Sequence, residues 1–143
     1  MDTKPTFLRM MAWVYTAGFA FVVFITHVSY FNDAQGRSFG LFSIDARDDF
    51  VHLLSAVAGI VVAVTGRWIV PYFWTVVVLY GIDALVGMTT QLGLLDLSVF
   101  TEPWQSPDFG LRNFAINLPH FVIVGVALLV LFQSRRSQAH AAA

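Results

Sequence analysis

The sequence predicts an all-α fold, a four-helix bundle integral to a membrane, and three observations carry that prediction. Of its 143 residues, 57% are hydrophobic and 12% are charged, against ~25% charged in an ordinary soluble domain. Mean hydropathy is +0.71, and a soluble domain of this size would have to turn much of that apolar surface to water. The apolar residues fall into four stretches, each near the ~20 residues that a spanning helix needs. They are too long and unbroken for barrel strands, which alternate over ~10 residues. The length suits a single transmembrane domain, residues 1–143. The absence of Cys excludes disulfides, thiolate metal sites and cysteine nucleophiles. A net charge of −1 gives no basis for nucleic-acid binding.

The first span covers about 8–30 and has no charged residue after Arg9. Its apolar run exceeds the ~7–15 residues of a signal-peptide core, so it reads as an uncleaved helix. The second, about 49–65, is the shortest and stops at Gly66, a residue favoured just past a helix C-terminus. The third, about 68–92, carries Pro71 in its first turn, where proline is tolerated. The fourth covers about 114–132.

Basic residues set the orientation. Lys4, Arg9, Arg67, Arg135 and Arg136 lie on one side, where Asp2 leaves a net +4. The other side sets Arg37, Arg47 and Arg112 against seven acids, net −4. Both termini are therefore expected in the cytoplasm of a bacterial cell, with two longer loops facing outward. Trp13, Trp68 and Trp74 fall near the inner interface, and Tyr30, Phe31, Phe100 and Trp104 near the outer one, as in an aromatic belt.

Spans two and four open alike. Asp49-Phe50-Val51-His52 precedes LLSAVAGIVVAV, and Asn117-Leu118-Pro119-His120 precedes FVIVGVALLVL. Asp49 is a candidate N-cap, and Pro119 suits a first helical turn. The similarity suggests two helical hairpins in parallel arrangement, although apolar helices also resemble one another by chance. With this layout and these Asx-x-x-His openings, the chain resembles a family of small four-helix bacterial integral membrane proteins of unknown function. In that family small residues follow the motif of span two, as Ser55, Ala56, Ala58 and Gly59 do here. The resemblance implies an architecture and supplies no mechanism.

Ionisable residues inside a span are costly and are functional candidates by default. Here they are His27, His52, Asp83 and His120. At ~1.5 Å per residue, His27 and His52 lie roughly 5 Å from the outer ends of their spans, His120 roughly 5–9 Å, and Asp83 roughly 13 Å. All four sit in the outer half, while Ala63, Val76, Val77, Val78 and Val126 leave the inner half without a polar path. His52 and His120 are candidate haem b ligands; with His27 and Asp83 they are candidates for a divalent metal. The simpler reading pairs each His with a loop carbonyl or an aspartate, and either pairs Asp83 with a His or holds it neutral by burial. No HExxH pattern, catalytic triad or phosphate-binding loop is present, and no catalytic residue is assigned.

The outer loops, about 31–48 and 93–112, mix acids with aromatics. Phe39, Phe42, Phe100 and Trp104 are candidate partner-binding residues, or rest on lipid headgroups. The expected function is that of a non-enzymatic structural or accessory subunit, binding a partner membrane complex or a second copy within the bilayer. The alternatives are a haem- or metal-binding electron carrier using His52 and His120, and a proton-coupled transporter using Asp83.

Overall fold

The computed structural model describes residues 4–142, with side chains described over 7–136. Helix α1 spans Lys4–His27. The Asn32 amide closes its end, donating to the carbonyls of Ile25 at 3.0 Å and Thr26 at 3.1 Å, which have no partner within the helix. A short 3-10 turn, Ser29–Phe31, follows.

Helix α2 spans Ala46–Thr65 and begins ahead of the expected start. Its N-cap is Asp45, not Asp49. The Asp45 carboxylate accepts the backbone N–H groups of Arg47 at 2.7 Å and Asp48 at 3.1 Å. The Asp48 carboxylate in turn accepts the Asp45 N–H at 3.2 Å, completing a reciprocal capping box. Asp49 is thereby freed to face α1, where it accepts the Thr26 hydroxyl. At the other end Gly66 adopts φ 68°, and Arg9 donates to the carbonyls of Ala63 at 2.8 Å and Val64 at 2.9 Å. A cation there satisfies orphan carbonyls and complements the helix dipole.

Helix α3 spans Ile69–Thr90, and a single short turn, α4 (Ser98–Thr101), interrupts the loop that follows it. Helix α5 spans Leu111–Ala142. Because α5 starts at Leu111, Pro119 lies in its interior and not in the first turn. There it withholds the N–H that would pair with the Ala115 carbonyl. The four long helices are each apolar and long enough to cross a membrane, and less than two fifths of any span is buried. The remaining apolar faces suit a lipid surround.

Helix α1 packs chiefly along α2, and α3 along α5. Aromatic side chains join the two pairs. Phe19 of α1 stacks on Tyr80 of α3, with ring centroids 5.1 Å apart, and Tyr15 meets Phe73 edge-on at 5.2 Å. The Tyr15 hydroxyl also donates to the Ile123 carbonyl of α5 at 2.5 Å. Lipid removes the hydrophobic drive for helices to associate, so such packing and interhelical hydrogen bonds must supply it.

Small residues set the approach within each pair. A Cβ on Gly59 would overlap the Thr16 hydroxyl, and one on Gly87 would overlap the Asn117 amide oxygen. We therefore expect Gly59→Ala and Gly87→Ala each to destabilise the protein by about 1–3 kcal/mol through overpacking. Gly125→Ala meets nothing within 4 Å and should be neutral or stabilising by up to ~1 kcal/mol. Thermal unfolding in detergent measures both.

The loop between α1 and α2 is pinned by Asp33. Its carboxylate accepts the Arg37 N–H at 2.8 Å, the Gln35 N–H at 3.0 Å and the Arg37 guanidinium at 2.8 Å. The Arg37 backbone N–H above all, with the guanidinium, holds the Asp33 carboxyl below the ordinary carboxylate range. A carboxylate depressed in the folded state stabilises it above the unfolded pKa, and that contribution is lost as pH falls through the folded value. Acidification below pH ~4 and Asp33→Asn at neutral pH should therefore both open this loop, seen as faster proteolysis after Arg37 with the helical signal unchanged.

Candidate functional site

His52 sits six residues into α2, ~9 Å along the helix. Its Nδ1 is 2.7 Å from the Asp48 carbonyl one turn back. A carbonyl can only accept, so Nδ1 carries the proton, and the neutral ring presents Nε2 as an acceptor. His120 faces it from α5, with ring centroids 6.5 Å apart. The His120 Nδ1 lies 2.9 Å from Asp83 Oδ2, off the line of a well-directed hydrogen bond and with no other partner. The contact is an electrostatic one that turns Nδ1 to the carboxylate and leaves Nε2 free. Neither Nε2 has a hydrogen-bond partner among the described residues.

Asp83 is 5% exposed and has a second task. Its Oδ1 accepts the backbone N–H groups of Leu94 at 2.6 Å and Leu95 at 2.8 Å. The chain after α3 therefore folds back down the helix, burying Ser98 and Val99. A carboxylate that seems unsupported within an apolar run is thus a loop anchor.

Tyr80 supports both rings. Its centroid lies 5.4 Å from that of His120 and 6.2 Å from that of His52, and its hydroxyl meets the Ser55 hydroxyl at 2.8 Å. Of the four ionisable candidates, His52, Asp83 and His120 converge. His27 does not: its largely exposed ring at the end of α1 lies 2.9 Å from the Val23 carbonyl and 3.6 Å from Asp49. Among the described residues no group of three or more His, Cys, Asp or Glu is placed to hold a metal ion. The two histidines share one cavity, of about 290 Å³, at the lower limit of small-molecule sites, ~300–1,000 Å³. That space is small for a porphyrin, and Tyr80 packs against both rings.

Three cavities adjoin here. The two-histidine cavity also meets Asp48 and Ser43. A polar cavity of about 540 Å³ opens beyond it, with Asp48, Ser43, Ile116 and His120 common to both. On the other side an apolar groove of about 660 Å³ runs between α1 and α5, and Val22, Phe42, Pro119 and Ile123 border it and the two-histidine cavity alike.

Of the candidate partner-binding residues, Phe39 is 58% exposed, and Phe100 and Trp104 are each 73% exposed. Phe42 instead turns inward to line two of the cavities. Sequence reasoning missed Asp48 and Ser43 as part of the site. The spacing of Asp48 and His52, one helical turn, was a usable signal; Ser43 had none. The chain matches no protein-family model, no curated protein and no solved structure.

Asp83→Asn keeps an oxygen that can accept from Leu94 and Leu95, whereas Asp83→Ala leaves both donors unpaired, at about 1–3 kcal/mol for each buried group. Hydrogen exchange over residues 93–101 should rise sharply in Asp83→Ala and only slightly in Asp83→Asn. Equal exchange in the two variants would refute the anchor.

Proposed function

We propose that this chain is a non-enzymatic accessory subunit of the bacterial cytoplasmic membrane, with both termini inside, that engages a partner membrane protein through its outer loops. The observation that carries this reading is the exposure of Phe39, Phe100 and Trp104, each 58% exposed or more, on the end of the bundle that bears the acidic residues. Aromatic residues of this kind are enriched at interfaces and at binding hot spots. Two backbone features support a built surface. Phe39 and Leu97 hold positive φ, at 55° and 66°, where a side chain other than glycine is disfavoured. The Trp104 indole N–H is also fixed, donating to the Val99 carbonyl at 2.7 Å. The basic end, where Arg9 caps α2 and Arg135 lies 5.7 Å over Trp74, is the cytoplasmic one in this reading.

A second reading rests on a different observation. Both site histidines turn Nδ1 to a protein oxygen, have no hydrogen-bond partner at Nε2 among the described residues, and line one cavity, which supports a small-molecule binding site in the same half of the bundle. Phe100 and Trp104 lie outside the lining of that cavity, whereas Phe39 belongs to both the exposed aromatics and its wall.

Native sizing after mild detergent extraction tests the first reading. The wild-type chain should migrate with a membrane partner, and the double variant Phe100→Ser, Trp104→Ser should migrate alone while unfolding at the same temperature. A wild-type chain that stays monomeric across several detergents overturns it.

A further inference from the structure

We propose that the two-histidine cavity and the α1–α5 groove together form one binding site for a single-tailed, hydroxyl-bearing ring amphiphile, of which a prenylated quinol is the type. The proposal rests on the second reading above, that the free Nε2 atoms form a ligand site.

The tail follows from the groove. It is lined by apolar side chains, with Gly18 and Ala115 providing width where bulkier residues would close it. Val14 and Val122 on its rim are 53% and 54% exposed. At the level of the spans such a side opening faces acyl chains, so what enters must be soluble in the membrane. The groove is a single channel between two helices, which suits one chain.

The head follows from the histidines. The groove shares Val22, Phe42, Pro119 and Ile123 with the two-histidine cavity, so a head attached to a tail lying in it can enter beside His52 and His120. The Asp48 carbonyl and the Asp83 carboxylate hold both Nδ1 atoms, which makes each Nε2 of a neutral ring an acceptor. Two acceptors on one small cavity call for a head that donates. An anionic head cannot donate and meets like charge besides: Asp48 borders the cavity, and Asp45, Asp83, Asp96 and Glu102 line the adjoining one against Arg37 and Arg112. Phe21 and Phe39 provide aromatic walls, which favour a flat ring. A cavity of about 290 Å³ admits one substituted ring. Polar groups placed at the head and apolar walls along the tail are the usual division in a small-molecule site. Binding is the whole of the proposal, and no electron transfer is assigned.

The test uses the full chain in nanodiscs with four probes: a decyl-tailed benzoquinol kept reduced, its oxidised quinone, decanoate and decylammonium. Saturable binding is read by calorimetry, with thermal unfolding as the control for folding. The quinol should bind most tightly, the quinone about tenfold more weakly for the loss of both donors, and decanoate least. His52→Phe and His120→Phe should each weaken quinol binding about tenfold. Gly18→Leu fills the groove without touching either histidine. It should weaken the decyl quinol and leave a tail-less benzoquinol unchanged, which keeps the proposal testable if a histidine variant fails to fold. Tightest binding of decanoate or decylammonium, lost in the histidine variants, overturns the quinol assignment and leaves the two-histidine site standing. Binding of every probe unchanged in folded histidine variants, or no binding of any probe, overturns both.

Discussion

A carboxylate buried in an apolar helix must find donors, and the end of the bundle that holds Asp83 is organised around that need. Asp83 takes two from the backbone of Leu94 and Leu95 and sets its other oxygen against the His120 ring. The first two contacts draw the loop after α3 down along that helix, burying Ser98 and Val99. The third orients His120, which lines one cavity together with His52. The loop after α3 and a side chain of α5 are thus both positioned by one carboxylate. The cost of leaving a charge unpaired in a low-dielectric surround makes that arrangement obligatory.

The rest of the bundle meets the complementary constraint that lipid rewards no apolar contact for its own sake. The two hairpins are therefore joined by shape and by hydrogen bonds. Phe19 lies flat on Tyr80, Tyr15 stands edge-on to Phe73, and the Tyr15 hydroxyl reaches a carbonyl of α5. Gly59 and Gly87 let each helix approach a polar side chain of its neighbour, Thr16 and Asn117 respectively. Tyr80 belongs to both systems. Its ring packs on Phe19 toward the centre and on the two histidines toward the outer end, so the site is held by the same contact that joins the helix pairs.

Much of this is legible in the sequence, for physical reasons. The spans follow from unbroken apolar runs, because each helix must satisfy its own backbone within the bilayer. Their ends are less legible. Asp45, Asp48 and Asp49 all suit a helix start, and the choice falls to Asp45 because Asp48 then stands at the third position and closes a capping box. Pro119 points to a first turn by propensity, yet the helix continues back to Leu111. Asn113 and Asn117 satisfy polar groups around that segment: the Asn113 amide donates to the Gly87 carbonyl at 3.3 Å and the Asn117 amide to the Asn113 carbonyl at 3.0 Å. Depth places His27, His52 and His120 near one level and Asp83 deeper in the same half. Depth says nothing of rotation about the helix axis, and that is what separates His27, which turns outward toward Asp49. The loop anchored on Asp83 has no sequence signal, since its donors are backbone groups that any residue carries.

The repeated Asx-x-x-His opening shows how one pattern can serve two ends. In α2 the Asx, Asp49, faces away from the site and ties the helix to α1 through Thr26, and His52 is oriented by a carbonyl of its own helix. In α5 the Asx, Asn117, is buried against Gly87, and His120 is oriented by a carboxylate from a different helix. Both rings nonetheless turn Nδ1 to an oxygen and line one cavity. His27 shows the contrast, because its ring is turned out of the bundle and largely exposed. Two rings oriented by unrelated contacts and brought to one cavity are the arrangement that the proposed ligand site rests on, and packing within either helix pair does not call for it.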